Sequence, residues 1–133
     1  SGVPFVGPAG KLLDKMLASV NLDRKDVYIA NIVKCRPPGN RDPHEDEQEA
    51  CMNYLRYQLT LVKPKIIVCL GRVAATAIID KNFKITKEHG EWVERKGYWI
   101  TATYHPSALL RDETKKRPAW EDLKAIRAKL DEL

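Results

Sequence analysis

Three continuous apolar runs rich in β-branched or aromatic residues constrain the fold of this chain more than any other feature. They cover residues 27–33, 65–70 and 98–104. Apolar residues in these runs do not alternate with polar ones, so both faces of each strand should be covered. That pattern is typical of a parallel sheet with helices on either side.

Helical patterns lie before, between and after these runs. A stripe of 3.6-residue period follows Gly10. Asp42-Pro43 has the composition of a helix start, and that helix should continue to Pro64. A third helix is predicted over residues 72–79, and a fourth closes the chain. The apolar stripe of the first helix consists of Leu12, Leu13, Met16, Leu17 and Val20, and that of the last helix of Trp120, Leu123, Ile126, Leu130 and Leu133.

The elements follow in the order helix, strand, helix, strand, helix, irregular segment, strand and helix. This alternation is typical of an α/β fold. We therefore predict a three-layer α/β/α sandwich with a mainly parallel central sheet, formed by residues 1–133 as a single domain. Three strands make a small sheet, and no strand precedes the first helix. We expect that a first strand is missing from this chain.

Composition narrows the class of partner. No apolar run approaches the roughly 20 residues of a membrane span, and the first residues have no signal-peptide pattern. We therefore expect a cytoplasmic protein, and a monomer, that binds no membrane. The chain has 23 Lys and Arg against 18 Asp and Glu, a net charge of +5. This excess suits a polyanionic partner such as nucleic acid, although mildly basic proteins are common.

The three cysteines differ in their surroundings. Cys69 lies within an apolar run, where a thiol behaves as a small core residue. Cys35 and Cys51 lie in polar surroundings and are candidate metal ligands. Two cysteines do not complete a structural metal site, so further ligands would have to come from elsewhere.

Ligands of open parallel sheets bind beyond the carboxyl ends of the strands. Residues 31–43 leave the first predicted strand and residues 104–111 leave the third, so the two segments should converge there, and the loop at 4–7 is a candidate to join them. Taken singly, their polar and aromatic residues have ordinary explanations. Asn31 suits a turn, His105 precedes a proline and is biased toward extended backbone, and Phe5 suits a core.

Together these side chains predict a site for a planar base. An amide pairs with the edge of a base, and an aromatic ring stacks on its face. Arg36 and Arg41 in a Pro-rich loop, with a second loop at 107–111, would contact phosphates. Leu109 and Leu110 in that second loop are candidates for an apolar wedge that unstacks a duplex.

Three ordered motifs resemble those of the family-4, iron–sulfur type of uracil-DNA glycosylase. They are G-V-P-F-V-G-P-A-G-K-L-L at residues 2–13, N-x-x-K-C-R-P-P-x-N-R-x-P at 31–43 and H-P-S-A-L-L-R at 105–111. The resemblance covers nearly the whole chain. It implies an enzyme that flips uracil from DNA and hydrolyses the N-glycosidic bond, which initiates base excision repair.

The resemblance also implies roles for individual residues. Phe5 would stack on the extruded uracil and Asn31 would hydrogen-bond its Watson–Crick edge. His105 would donate to uracil O2, which makes Asn31 and His105 the expected catalytic residues. The residues expected to contact DNA are Arg36, Arg41, Ser107, Leu109 and Arg111. Leu109 and Arg111 would occupy the duplex where the base has left.

Members of this family hold a [4Fe–4S] cluster with four cysteines, two near the N-terminus and two later. Cys35 and Cys51 match the later pair. The earlier pair is not in this sequence, nor is the Gly-Glu-Ala-Pro-Gly-type loop that helps to position the attacking water. We expect both to lie upstream of Ser1 in the full-length protein. The cluster would fix the loop that bears the cysteines against DNA rather than perform redox chemistry.

Three alternatives stay open at this point. The chain could be a catalytically impaired version that only binds nucleic acid. It could belong to a related group that forms a covalent DNA adduct through a histidine, although the basic insert of that group is not found after Gly71. The cysteine pair could also be half of a zinc site in a nucleic-acid-binding module.

Overall fold

A computed structural model describes residues 7–22, 27–30, 53, 57–61, 63–95 and 97–133. Its helices are α1 (Gly7–Ser19), α2 (Gly71–Ile78), α3 (Ile85–Glu88), α4 (Pro106–Arg111) and α5 (Lys116–Glu132), with a 3-10 turn at Glu113–Lys115. Its strands are β1 (Tyr28–Ala30), β2 (Ile66–Leu70), β3 (Val93–Arg95) and β4 (Tyr98–Thr103). Residue 53 and residues 57–61 are also helical.

The strands form one sheet in the order β1-β2-β4-β3. β1, β2 and β4 are parallel, and β3 is antiparallel to β4. Ala30 is paired with Cys69, and Cys69 with Ala102, so the three parallel strands end at the same edge of the sheet. The mainly parallel sheet is therefore confirmed, and its carboxyl edge is defined by described residues.

Strand β2 shows why the fold has three layers. All five of its residues are buried, and they alternate between two apolar clusters. Ile67 and Cys69 belong to the cluster that contains Ala74 and Ala75 of α2. On the other face, the cluster contains side chains of α1 and α5; its strand members are Ile66, Val68 and Leu70, and its helix members are Leu13, Leu17, Leu123 and Ile126. Fully burying a large aliphatic side chain contributes about 1.5–3 kcal/mol, so helices on both faces stabilise the sheet.

The segment between α2 and β4 corrects one prediction. We expected it to be irregular, but it contains α3 and the edge strand β3, so the sheet has four described strands rather than three. β3 is only three residues long; Val93 is half-buried, while Glu94 and Arg95 are exposed. Such a strand has no apolar run to reveal it in the sequence, and charged side chains are typical of sheet edges.

Residues 107–111 correct a second prediction, because they form most of helix α4 rather than a loop. Pro106 stands at the start of α4, where its fixed φ is compatible with a helix and its missing N–H costs no hydrogen bond. The side chain of His105 caps the same end. The helix is only six residues long, which is too short for a periodic pattern to predict it.

The first and last helices were predicted well in position and less well in detail. α1 begins at Gly7, before the predicted start after Gly10. In α5, Trp120 was assigned to the apolar stripe but is 37% exposed. Its indole Nε1 donates to Ser19 Oγ at 3.0 Å, and Lys124 Nζ lies 4.4 Å from the ring centroid. Among the described residues, no helix is both long and apolar enough to cross a membrane.

Two predicted elements are described only in part. The first predicted strand, at residues 27–33, is observed as β1 over residues 28–30, and its remainder after Ala30 lies outside the described residues. The helix predicted from Asp42 to Pro64 is described at residue 53 and at 57–61, which are helical. Its predicted start lies outside the described residues.

Candidate active site at the carboxyl edge of the sheet

His105 lies just beyond the end of β4, at the carboxyl edge of the sheet. Its backbone is extended, with φ −66° and ψ 140°. Pro106 explains this conformation, because a proline disfavours helical backbone in the residue before it. The extended residue then caps α4, so the chain turns sharply from strand to helix at the imidazole.

The backbone N–H of Ser107 defines the tautomer of His105, because an N–H can only donate. The backbone N–H of Ser107 donates to Nδ1 at 3.1 Å, and Ser107 Oγ lies 2.7 Å from the same nitrogen. A neutral imidazole that accepts at Nδ1 carries its proton on Nε2. Nε2 is buried from solvent on the other side of the ring. His105 therefore carries its proton on Nε2, which is the hydrogen-bond donor of the ring.

Gly71 lies against His105 and was not among the predicted site residues. It follows β2 directly and has φ +86°, a conformation that glycine adopts without strain. A Cβ at this position would lie 3.1 Å from His105 Cβ. The close approach of the backbone to His105 therefore requires glycine. A glycine at a strand-to-helix junction was the only signal of this role in the sequence.

The two leucines of α4 have opposite environments. Leu109 is 1% exposed and packs in a cluster with Tyr104 and Ala119, whereas Leu110 is 47% exposed. Successive residues of a helix point about 100° apart, which explains the contrast. Of the two leucines that the sequence offers as a wedge, Leu109 is buried in this conformation and Leu110 is the exposed one. Arg111, in the last turn of α4, is exposed.

Several predicted site residues lie outside the described part of the chain. They are Phe5, Asn31, Cys35, Arg36, Arg41 and Cys51. Of the predicted site residues that the structure describes, it brings His105 and Ser107 into contact. In sequence, Asn31 directly follows Ala30, which ends β1 at the same sheet edge.

Cys69 does not fit a cluster ligand. It is fully buried in β2, and burial raises the pKa of its thiol to about 12. Cluster iron is bound by thiolates, so this thiol is a core residue, as the sequence predicted. Within the described ranges, no group of three or more His, Cys, Asp or Glu residues is arranged to hold a metal ion.

A buried polar network that the sequence does not predict lies behind the end of β4. Asp122 of α5 is 8% exposed and accepts from Thr103 Oγ1 at 2.6 Å. His89 Nδ1 lies 2.7 Å from the same carboxylate oxygen. Burial raises the pKa of Asp122, and the hydrogen bonds from Thr103 and His89 act in the opposite direction. The three residues are far apart in sequence, so no motif identifies them.

Comparison with known proteins shows which family the chain belongs to. The sequence model of the uracil DNA glycosylase superfamily matches residues 1–124, and the chain belongs to this superfamily. Within it, the chain is similar to type-4 uracil-DNA glycosylases. It is 48% identical to that of Archaeoglobus fulgidus over 94% of this chain and 67% of the relative. It is 47% identical to that of Sulfurisphaera tokodaii over 95% of this chain and 61% of the relative. It is 41% identical to that of Thermotoga maritima over 96% of this chain and 69% of the relative. The chain thus spans about two thirds of the length of these relatives. The family-4 resemblance drawn from the motifs is confirmed.

Proposed function

We propose that this chain is a DNA N-glycosylase that flips uracil out of DNA and hydrolyses its N-glycosidic bond, the first step of base excision repair. The observation that carries the proposal is the tautomer of His105 at the carboxyl edge of the sheet, where the backbone N–H of Ser107 donates to Nδ1 and leaves the ring proton on Nε2. The names of the type-4 relatives support uracil as the base. They do not favour the alternative of a protein that only binds nucleic acid.

His105 would act on charge that develops as the bond breaks. Negative charge grows on uracil O2 in the transition state, and a donor aimed at that oxygen stabilises the transition state more than the ground state. Removal of one such donor costs roughly 10²–10³ in kcat. In this proposal Phe5 stacks on the extruded uracil, and Asn31 hydrogen-bonds its Watson–Crick edge and excludes cytosine.

We assign the duplex wedge to Leu110 instead of Leu109. Extruding a base from the stack costs a few kcal/mol, and an apolar side chain in the gap offsets part of that cost. Leu110 is exposed next to Arg111, whereas Leu109 is buried. Arg111 would contact the backbone phosphates, together with Arg36 and Arg41. Ser107 would contribute mainly by holding His105, since its hydroxyl lies beside Nδ1.

We also propose that Cys35 and Cys51 supply two of the four cysteine ligands of a [4Fe–4S] cluster. Since Cys69 does not fit, the other ligands would have to come from outside this sequence. The cluster would hold the segment between the two cysteines in place and would take no part in the bond cleavage. Iron and sulfide analysis of the full-length protein tests this: Cys35→Ser should lower both together, whereas zinc without sulfide would support the zinc alternative.

The substrate would be uracil in single- or double-stranded DNA, bound by a monomer in the cytoplasm. The net charge of +5 suits DNA in either form. These finer points stay predictions, and the initial rates of uracil release by the wild-type protein on single- and double-stranded substrates of the same sequence test the strand preference.

The direct experiment measures uracil release from a uracil-containing oligonucleotide by the wild-type protein and by His105→Asn. Asparagine is a favourable N-cap residue, so this variant keeps α4 capped but removes the Nε2–H donor. We expect kcat to fall roughly 10²–10³-fold, with DNA affinity and Tm nearly unchanged. Full activity of His105→Asn would contradict the role of His105. Wild-type protein that binds DNA but releases no uracil would support the binding-only alternative.

A further inference from the structure

We propose that Asp122 is a positioning residue for His105, which it holds in place through Thr103 and His89. The inference rests on the proposed function of His105. By this inference, the rate of base release depends also on the buried hydrogen-bonded group of Asp122, Thr103 and His89.

The first connection runs through Thr103. Thr103 is the last residue of β4 and lies two positions before His105. Its hydroxyl donates to Asp122 Oδ2 at 2.6 Å, a short charge-assisted hydrogen bond between strand and helix. The carboxylate of α5 therefore anchors the end of β4 from which His105 projects.

The second connection runs through the turn at His89 and Gly90. A carboxylate only accepts, so His89 Nδ1–H donates to Asp122 Oδ2 at 2.7 Å. The imidazole of His89 lies 4.8 Å from the ring of Tyr104, centroid to centroid. Tyr104 is the residue directly before His105. The carboxylate thus orients a ring that packs against the neighbour of His105.

Gly90 shows how closely this turn fits. Its backbone N–H donates to the carbonyl of Ala102 at 2.8 Å, and its φ is +81°. A Cβ at Gly90 would lie 2.5 Å from Asp122 Oδ1. The turn therefore contacts the carboxylate and the end of β4 at once.

Together these contacts hold three consecutive residues, Ala102, Thr103 and Tyr104, immediately before His105. Gly71 contacts His105 itself. A displacement of about 1 Å in a catalytic group can cost roughly 10²-fold in rate. Loss of one contact of the buried carboxylate should therefore lower the rate of base release more than it affects DNA binding.

The test compares Thr103→Val with Thr101→Val. Both residues are buried on β4, and each hydroxyl makes one hydrogen bond, Thr101 to the carbonyl of Glu91 at 2.8 Å and Thr103 to Asp122. Thr103→Val should lose more stability than Thr101→Val, because its bond to the carboxylate is charge-assisted, so both variants are assayed well below their Tm. We expect the single-turnover rate of uracil release to fall about 10-fold in Thr103→Val, with DNA affinity unchanged. Thr101→Val should keep the wild-type rate, and Thr103→Ser should recover most of it. Equal rate losses in the two valine variants would overturn the proposal.

A double-mutant cycle shows whether the effect passes through His105. If Thr103 and Asp122 act only by placing this imidazole, Thr103→Val should cost nothing further in a His105→Asn background. The same 10-fold loss in that background would show a general structural effect and contradict positioning.

An NMR measurement separates this inference from the proposed function. The ring ¹⁵N and ¹H signals of His105 should show the Nε2–H tautomer and should shift in Thr103→Val but not in Thr101→Val. Unchanged His105 signals in Thr103→Val would overturn the inference whether or not the protein releases uracil. Absence of uracil release by the wild-type protein, with the expected NMR shift, would overturn only the proposed function.

Discussion

At the scale of single residues, the conformation of His105 depends on two neighbours in sequence and one in space. Pro106 favours the extended backbone, and the N–H of Ser107 selects the tautomer. The sequence predicts the first effect, because it is local. Gly71 comes from another strand end, so its contact with His105 appears only in the folded chain.

Gly71→Ala tests this contact. At φ +86° an alanine is strained by about 1–2 kcal/mol, and its Cβ would lie 3.1 Å from His105 Cβ. His105 would have to shift by a few tenths of an ångström, so we expect the rate of uracil release to fall several-fold. Uracil-release kinetics and thermal unfolding measure the two effects separately.

Gly97→Ala is the matched control for Gly71→Ala. Gly97 has nearly the same φ, +85°, but nothing lies within 4 Å of the position of its Cβ. It should lose a similar free energy of unfolding and keep its activity. If both variants lost activity equally, backbone strain rather than contact with His105 would be the cause.

At the scale of elements, helix α4 is the part of the fold that the sequence predicts least well. Its residues were recognised as part of a motif, but as a loop. A six-residue helix spans less than two turns, so it has no periodicity to detect. Its orientation determines that Leu109 faces the core and Leu110 faces solvent.

Substitution of each leucine by alanine tests the orientation of α4. Leu109→Ala should lower the free energy of unfolding by roughly 2–5 kcal/mol, because it leaves a cavity beneath α4. Leu110→Ala should change stability by less than about 0.5 kcal/mol. It should instead slow uracil release from double-stranded DNA, because a wedge is useful only where a base leaves a stack.

The measurement is the ratio of initial rates on double- and single-stranded substrates of the same sequence. Leu110→Ala should lower this ratio several-fold, and Leu109→Ala, assayed well below its Tm, should leave it near the wild-type value. An equal loss on both substrates would show that Leu110 does not act as a wedge.

At the scale of the whole molecule, the chain has a net charge of +5 and one sheet edge that carries the candidate site. Arg111 lies at the end of α4 beyond that edge. Arg95 is paired with Tyr98, at the opposite end of β4, and donates to the carbonyl of Ile78 at 2.9 Å. The two exposed arginines therefore lie on different sides of the molecule.

Salt dependence of DNA binding distinguishes the two sides. Each phosphate contact with duplex DNA contributes about −0.9 to the slope of log K against log salt concentration. Arg111→Ala should reduce the magnitude of this slope by about 1, and Arg95→Ala should leave it unchanged. Equal changes in both variants would mean that the net charge, rather than a defined surface, governs binding.

The sequence alone determined the fold class, because apolar runs without alternation require a sheet covered on both faces. It also determined the family, because the motifs around Asn31 and His105 are contiguous in the chain. Strand β3 was not predicted from the sequence, because an edge strand buries too little side-chain surface to need an apolar run.

Only the tertiary structure decided which side chains support the site. Asp122, His89 and Thr103 meet across three elements, and Gly71 meets His105 across two strand ends. These contacts depend on how the layers pack, and short-range sequence patterns do not predict that packing. The same reason applies to Leu109 and Leu110: the motif contains both, and only the packing of α4 buries one and exposes the other.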